Sequence, residues 1–389
     1  MRFVGADLHK KTITFCVVEK SSRGLRVVAR KRIACREEDR IRRFLQSHVP
    51  CQVAVEATIG YEWFAGVAER IAERVVIAHA GKLRVIAEST RKTDKIDAYV
   101  LAEFLAYDML PEAWRPTPRV RQHRALTRRR WKVQSRITSI KSTIRGLLTR
   151  YNEDQPGVFT VAGREQVAGL KERLLVEDQW VLEDLYEELQ EQTARLKRVD
   201  ARLRQFAERA PAREREARAL LRTIPGVGQV TIEVLLAELG DWQRFKNADA
   251  VVSYAGLDPG VRCSDGRHRG LTITKAGSPL LRWVMIQLAH RIKRLSSRWR
   301  RRFDQIARRA GRKKATVAIA RQLLRVIFAM LRDGRPYDVA AVPPRRESEP
   351  GCDPCAEERR SARAVGKPRG GPRVRDGRAV NSSPRSAPR

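Results

Sequence analysis

Length, composition and charge set the first limits on what this chain can be. Its 389 residues are enough for two or three globular domains, and 80 Lys and Arg against 45 Asp and Glu give a formal net charge of +35. Charge of this size favours a polyanionic partner, and nucleic acid is the expected one. No apolar run approaches the roughly 18 residues of a membrane span, and six scattered cysteines argue against a disulfide framework. We therefore expect no membrane partner and a cytoplasmic, nucleoid-associated protein.

The N-terminal region predicts an α/β domain over residues 1–118. β-branched residues cluster in three short runs joined by charged or Gly-containing turns, and helical and strand patterns then alternate. The predicted elements are strands 3–7, 12–18 and 25–33, helix 37–46, strand 51–56, helix 61–70, strand 75–78 and helix 92–107. Three strands, helix, strand, helix, strand is the order of a ribonuclease H fold.

The remainder of the chain predicts mainly helices. Apolar residues at helical spacing indicate a basic helix over 119–151, and leucines at heptad-like intervals over 164–220 indicate a long helical hairpin or coiled coil. Together they form a predicted helical linker, 119–218, that is suited to assembling protomers. A mostly helical C-terminal domain is predicted over 219–337, and residues 338–389, rich in Pro, Arg, Ser and Gly, predict a disordered basic tail.

Cations are spread around the helix predicted at 119–151, and they would give it a positively charged surface along its length that can bind phosphates. We expect direct nucleic-acid contact from five of them: Arg128, Arg129, Arg130, Arg136 and Lys141. A GC-rich coding sequence that favours arginine is the alternative explanation for part of this excess.

Four carboxylates are the candidates for catalysis and metal binding. Asp7 and Glu56 end the first and fourth predicted strands, which lie side by side in a ribonuclease H sheet. Asp94 and Asp97 lie one turn apart at the start of a helix. Converging, the four would bind one or two Mg²⁺ ions, because hard cations prefer oxygen ligands. The structural alternative is that Asp94 caps its helix, Asp97 pairs with a neighbouring cation, and the other two are surface charges.

Two glycines in the segment 221–239 form the turn of a predicted helix-hairpin-helix. Gly226 and Gly228 separate two helices, so backbone N–H groups and the N-terminus of the second helix could receive a DNA phosphate. A tight turn between two packed helices would need the same glycines. The residues alone leave both interpretations open.

A Gly-rich segment over 256–277 contains the candidate nucleophile. Ser264 lies on a Gly-flanked turn and is followed by cations, Lys275 among them, that could contact a phosphate. The residues alone do not separate Ser264 from four other hydroxyl-bearing residues nearby: Ser253, Thr272, Thr274 and Ser278. A loop serine is also commonly a turn residue.

Six motifs in one order carry a resemblance that covers nearly everything from residue 3 to residue 337. They are GxDxHK at 5–10, a VxxEATG-like stretch at 53–60, KTDxxDA at 92–98, IPGVG at 224–228, YAGLxP at 254–259, and an RGxxxTKxGxxxLR run ending at Arg282. In these motifs the chain resembles the insertion sequence 110 family of transposases, which includes the pilin-gene invertases.

The resemblance implies a fold, an activity and partners. It implies a RuvC-like (ribonuclease H) site of Asp7, Glu56, Asp94 and Asp97 with Mg²⁺, and a serine nucleophile, matched here by Ser264, in a C-terminal transposase domain. It further implies recombination of donor and target DNA through a covalent phosphoserine link, in active sites completed across the protomers of a homo-oligomer, a dimer or a tetramer. A noncoding bridge RNA that pairs with both DNAs as a guide is part of the same implication.

Two other functions remain open at this point. A Holliday-junction nuclease would use the same carboxylates to hydrolyse DNA with water and would leave no covalent adduct. A noncatalytic nucleic-acid scaffold would need neither the four carboxylates nor Ser264, yet all five residues are present.

Overall fold

The computed structural model describes residues 1–86, 94–170, 173–264 and 267–338. Packing of the Cα atoms divides the chain into two compact units, the first Met1–Arg121 and the second beginning at Gln122. The first unit thus ends three residues after the predicted domain end at 118, and the further boundary at 218/219 stays a prediction. Residues 339–389 of the predicted tail lie outside the described residues.

The first unit contains one mixed five-stranded sheet. Its elements are β1 (Arg2–Leu8), β2 (Thr12–Ser21), β3 (Gly24–Ala34), α1 (Glu38–Gln46), β4 (Cys51–Glu56), α2 (Tyr61–Ala68), β5 (Arg74–Ala78), α3 (Ala80–Ile86) and α4 (Asp94–Ala106). The strand order is β3-β2-β1-β4-β5, antiparallel through β3, β2 and β1 and parallel from β1 through β4 to β5. The mixed α/β class and the order of the predicted elements are confirmed, but α3 between β5 and α4 was not predicted.

Side chains of β1 alternate between the two faces of this sheet, as the two-residue period of a strand requires. Val4, Ala6 and Leu8 are buried in a core that α1 and α2 complete, and Phe15 and Phe64 are among the largest side chains buried there. Burial of such apolar groups is the main stabilising contribution to this face of the sheet.

The other face of the sheet is covered by α4, which lies against β1 at backbone distance. A Cβ atom on Gly5 would lie 1.9 Å from the carbonyl oxygen of Ala98 and 2.6 Å from the amide nitrogen of Ala102. Only glycine allows so close an approach of helix and strand. Lys20 Nζ, beside the start of β1, donates to the carbonyl oxygen of Ala106 at 3.3 Å. Helix α4 therefore ends near the start of β1 and begins near the end of β1.

The second unit is mainly helical. α5 (Pro118–Arg150) begins in the first unit and continues into the second. The elements that follow are α6 (Val161–Ala168), α7 (Val176–Glu208), α8 (Ala212–Arg222), α9 (Gln229–Leu239), α10 (Ala248–Tyr254), β6 (Pro259–Ser264), β7 (Arg267–Ile273), α11 (Pro279–Leu295), α12 (Ser297–Ala310) and α13 (Arg312–Asp333). Among the helices of the described part of the chain, none combines the length and apolar character that a membrane crossing needs.

Helices α5 and α7 form an antiparallel pair, which corrects one prediction. The segment 164–220 does not fold back on itself as a hairpin; the buried Leu182 and Leu189 of α7 instead pack with the apolar side of α5. Three ion pairs along the two helices run in opposite sequence directions: Arg130–Asp200, Arg136–Glu188 and Arg150–Asp178. The heptad-like leucines do form an apolar stripe on α7. This stripe packs against α5, which lies earlier in the same chain.

A two-stranded antiparallel hairpin, β6 and β7, occupies part of the segment 256–277, where no strand was predicted. A register shift between Pro259 and Val261 and the glycine at position 270 interrupt the alternation that would have indicated strands. The C-terminal region is therefore helical with one inserted hairpin.

Candidate active site

The sheet register brings two of the predicted carboxylates side by side. β1 and β4 are parallel, with Ala6 opposite Val55, so the next position along both strands places Asp7 beside Glu56 on the same face. Asp7 is only 7% exposed, and Glu56 is half-buried. Both carboxylates stand at the C-terminal ends of their strands, on the face that α4 covers.

The other two carboxylates belong to the end of α4 that points toward Asp7. Asp94 is the first residue of α4, and Asp97 precedes Ala98, the residue whose carbonyl oxygen contacts Gly5. The side chain of Asp97 is half-buried; that of Asp94 lies outside the described side chains. Asp7 and Glu56 therefore lie side by side, and Asp94 and Asp97 lie in the turn of α4 that is nearest to this end of the sheet face.

The donor chemistry of this cluster suits a hard divalent cation, since every one of the four side chains offers carboxylate oxygens. Among the side chains that the structure describes, which exclude Asp94, no group of three or more acids, histidines or cysteines lies close enough together to hold a metal ion. His9 Nε2 lies 3.0 Å from Asp7 Oδ2, so the GxDxHK motif brings an imidazole to the same carboxylate.

Thr14 is a neighbour of this site that sequence reasoning missed. It lies directly opposite Asp7 in the antiparallel pairing of β1 and β2, so the two side chains share the face under α4. Thr14 is 7% exposed, and its hydroxyl has no hydrogen-bond partner among the described residues. A buried hydroxyl without a partner is costly, which marks it as a group that a ligand or bound water would satisfy. The pairing becomes visible only once the register is known.

The candidate nucleophile ends a strand at the tip of the β6–β7 hairpin. Ser264 is the last residue of β6, and it pairs in register with Arg267 of β7. Its side chain lies outside the described side chains, so its role stays a prediction. Of its rivals, Ser278 has a structural role, because its Oγ accepts from the amide of Leu281 at 3.3 Å and caps α11.

Two glycines join the YAGLxP and RGxxxTKxG motifs at the base of this hairpin. A Cβ on Gly277 would lie 1.8 Å from the carbonyl oxygen of Tyr254, and Gly256, at φ +66°, touches the backbone of residues 275–277. The amide of Lys275 donates to the carbonyl oxygen of Gly256 at 3.1 Å. Lys275, predicted to contact nucleic acid, is exposed and itself adopts φ +55°. The two motifs are thus held together by close backbone contacts at the base of the hairpin whose first strand ends at Ser264.

Several cations of the basic helix are already paired within the chain. Arg128 forms a bidentate pair with Glu238 at 2.9 and 3.0 Å, and the pairs of Arg130 and Arg136 join α5 to α7. Lys141 Nζ lies 4.8 Å from the ring centroid of the Phe159 side chain. By contrast Arg129 is exposed, with no ion pair found in the described part of the chain. Nucleic-acid contact by these residues stays a prediction.

A buried polar network anchors α5 to α8 and α9. His123 Nε2 lies 2.8 Å from Glu233 Oε2, and Arg218 donates twice to the same carboxylate at 2.9 Å. All three side chains are less than 5% exposed. Burial alone would raise the pKa of Glu233, but the hydrogen bonds from His123 and Arg218 outweigh it and lower the pKa to about 2.

The predicted helix-hairpin-helix turn packs against α11. Gly226 has φ +81°, and a Cβ there would lie 2.9 Å from Leu295 Cδ1 and 3.3 Å from the Cβ of Arg291. Gly228 is the N-cap of α9, and a Cβ on it would lie 3.9 Å from a guanidinium nitrogen of Arg291. The glycines therefore do serve helix packing, while an exposed cation stands at the N-terminus of α9. Phosphate binding at this turn stays a prediction.

The strand order and the acids at the ends of β1 and β4 define the first unit as a ribonuclease H-like domain of the DEDD type. A family model for DEDD transposases of the IS110 group, described as a transposase, matches residues 4–153 and so includes all four carboxylates. A second model, described as the transposase IS116/IS110/IS902 family, matches residues 218–305 and includes Ser264. The chain belongs to the IS110 family of transposases, a class of DNA-recombination enzymes.

Relatives in three bacteria agree with this family. The chain is 30% identical over 213 residues to the Insertion element IS110 uncharacterized 43.6 kDa protein of Streptomyces coelicolor, a match that covers 49% of this chain and 52% of that protein. It is 24% identical to the Probable family 20 transposase of Pseudomonas aeruginosa, over 84% of this chain and 96% of the relative. It is 32% identical to the Pilin gene-inverting protein of Moraxella bovis, in a match that covers 31% of this chain and 38% of that protein. The chain thus spans about half the length of the Streptomyces protein and nearly all of the Pseudomonas one.

Proposed function

We propose that this transposase cuts and rejoins donor and target DNA with a RuvC-like Mg²⁺ site and a serine nucleophile. The observation that supports it best is that Asp7 lies beside Glu56 at the ends of β1 and β4, on the face that α4 covers, with Asp94 and Asp97 in the first turn of α4.

The four carboxylates would hold the metal, and the remaining residues would position the DNA. The chemistry supplied by bound Mg²⁺ is stabilisation of the charge that develops on the entering and leaving oxygens of a phosphodiester. Asp7, the most buried of the three candidate acids whose side chains are described, would fix the site, with His9 to orient its Oδ2 and Thr14 opposite it on β2. Ser264 Oγ would attack phosphorus and form a phosphoserine bond as the leaving DNA oxygen departs, and Lys275 would neutralise the phosphate.

The partners in this proposal follow the family resemblance and the charge. Donor and target DNA, a noncoding bridge RNA and further copies of the chain, as a dimer or a tetramer, would assemble in the cytoplasm at the nucleoid. A net charge of +35 supports binding of extended polyanions. The Pilin gene-inverting protein of Moraxella bovis carries in its name a DNA rearrangement of the same broad kind.

The deciding experiment traps the covalent intermediate. The full chain is incubated with Mg²⁺, element-end DNA and the noncoding RNA from the element's flank, and protein–DNA adducts are resolved under denaturing conditions. Wild type should give an adduct that EDTA, Asp7→Asn and Ser264→Ala each abolish, whereas Ser253→Ala, a matched exposed hydroxyl on α10, should retain it. DNA cleavage without an adduct would identify a Holliday-junction type of nuclease, and RNA and DNA binding without cleavage a noncatalytic scaffold.

A further inference from the structure

Two exposed tryptophans line a small cleft in the second unit. The cleft has a volume of about 250 Å³ and lies between α5, α9 and α11. Trp131 of α5 is 37% exposed and Trp283 of α11 is 44% exposed. Large aromatic side chains are usually much more buried than this, and two of them at one opening mark a binding surface.

The rest of the lining combines an apolar floor with hydrogen-bonding groups. Val230 and Leu280 supply the apolar part, and Gln134 and Ser135 of α5 supply an amide and a hydroxyl. A glutamine amide both donates and accepts hydrogen bonds, which is the pattern that base edges require. The volume is below the ~300–1,000 Å³ typical of pockets for drug-sized ligands. The cleft therefore suits one flat, polar-edged aromatic group.

A cation lies at the glycine turn beside the cleft, in addition to Arg130 in the lining, which is paired with Asp200. Val230 follows Gly228 by two residues in the first turn of α9, and Arg291 lies at that same turn. On α5, Arg129 and Lys132 flank Trp131 and are exposed. A base in the cleft would thus have its own phosphates close to the backbone N–H groups at the N-terminus of α9 and to the guanidinium group of Arg291.

We propose that this cleft binds an unpaired nucleobase of a single-stranded nucleic acid, stacked on Trp131 and Trp283. Aromatic side chains bind unpaired bases by stacking, and neighbouring cations hold the backbone, a combination that prefers single strands to duplexes. A second copy of this chain is a poorer occupant, because the lining is small, polar-edged and surrounded by like charge. The inference rests on the nucleic-acid binding in the proposed function but not on the acidic site or Ser264.

The test measures binding of the full chain to short labelled oligonucleotides in three forms: single-stranded DNA, single-stranded RNA and blunt duplex DNA. Trp131→Ala and Trp283→Ala should each weaken single-strand binding roughly tenfold, the usual effect of removing one stacking platform. The affinity for duplex DNA should stay close to that of wild type. The salt dependence of single-strand and of duplex binding should also stay close to wild type, since the number of phosphate contacts is unchanged. Loss in the DNA arm alone would identify a donor or target strand as the occupant, and loss in the RNA arm alone would identify a guide; either supports the cleft.

Matched variants separate stacking from folding. Trp180→Ala removes another exposed tryptophan, 62% exposed on α7 and absent from the cleft lining, and should change nothing. Trp131→Phe keeps an aromatic face and should restore most of the affinity. A 2-aminopurine base in the single strand should be quenched by wild type and much less by the alanine variants.

Three results would overturn the proposal. The first is single-strand binding that is unchanged in both alanine variants, and the second is an equal loss of affinity for single strand and duplex. The third is loss of self-association while nucleic-acid binding stays intact, which would assign the cleft to a second copy of the chain. Covalent adduct formation is scored separately on the same proteins. Absence of any adduct in wild type, with base quenching intact, would reject the proposed recombinase chemistry and leave the cleft standing.

Discussion

The side chains of His123 and Glu233 meet at 2.8 Å although 110 residues separate them in the chain. With Arg218 they form a buried network that ties the basic helix α5 to α8 and α9. This contact ties α5, just after it enters the second unit at Gln122, to the helices of that unit. The network has consequences for stability and for its dependence on pH.

We expect the second unit to lose stability in acid. The pKa of Glu233 in the folded chain is about 2, below the ordinary 4.5, so the charged form stabilises the fold above about pH 4.5, and this contribution disappears as the pH falls toward 2. Glu233→Gln should reduce the free energy of unfolding at neutral pH by roughly 3 kcal/mol, because the buried Arg218 loses its bidentate partner and keeps only the longer pair with Glu214. Urea titrations across this pH range measure both effects. Asp333→Asn, at an exposed ion pair, is the control and should behave as wild type; equal stability of Glu233→Gln and wild type would contradict the network's role.

We expect Gly5→Ala to dislodge α4 from the sheet. The added Cβ would stand 1.9 Å from the carbonyl oxygen of Ala98, so strand and helix must separate. Overpacking against backbone costs about 3 kcal/mol or more, and metal binding by the carboxylates should weaken with it because α4 carries two of them. Gly66→Ala in α2, where a Cβ meets nothing within 4 Å, should leave stability unchanged or raise it. Thermal unfolding and Mg²⁺-dependent cleavage report the two effects; a Gly5→Ala protein with wild-type values of both would refute the packing argument.

We expect Thr14→Val to slow DNA cleavage without harming the fold. Valine keeps the shape of the side chain and removes a buried hydroxyl that has no partner in the described residues, so stability should hold or rise slightly. If that hydroxyl orients Asp7 or a bound water, the cleavage rate should fall roughly tenfold. Thr14→Ser keeps the hydroxyl and should keep the rate. Single-turnover kinetics measure the cleavage rate, and chemical denaturation measures the stability of each variant. Equal cleavage rates for the valine and serine variants would show that Thr14 has no role in the site.

We expect two adjacent arginines of α5 to behave in opposite ways. Arg128→Ala leaves Glu238, 1% exposed, without its bidentate partner and should destabilise the chain by roughly 3 kcal/mol. Arg129→Ala removes an exposed cation and should leave stability unchanged while lowering the salt dependence of nucleic-acid binding by about one released ion. Unfolding and binding at several salt concentrations are measured on both. The same stability and the same salt dependence of binding in the two variants would show that the ion pair of Arg128 with Glu238 does not distinguish the two arginines.

Sequence patterns were a good guide wherever the signal was local. The order of strands and helices in the first unit, the helix over α5 and the motifs carrying Asp7, Glu56 and Ser264 are all readable from periods and short spacings. The β6–β7 hairpin was missed because a register shift and glycine broke its alternation. The cleft at Trp131 and Trp283 was missed because each tryptophan alone resembles an ordinary helix residue.

The sequence by itself determined the class of this protein: its basic charge, its α/β then helical order, and the acids and motifs of its family. Tertiary structure decided which residues meet. The parallel register sets Asp7 beside Glu56, the bare backbone of Gly5 admits α4, and α7 packs on α5 rather than within its own segment. Periodicity reports only which side of an element is apolar, whereas register, helix direction and the pairing of Arg128 with Glu238 depend on contacts between residues distant in the chain.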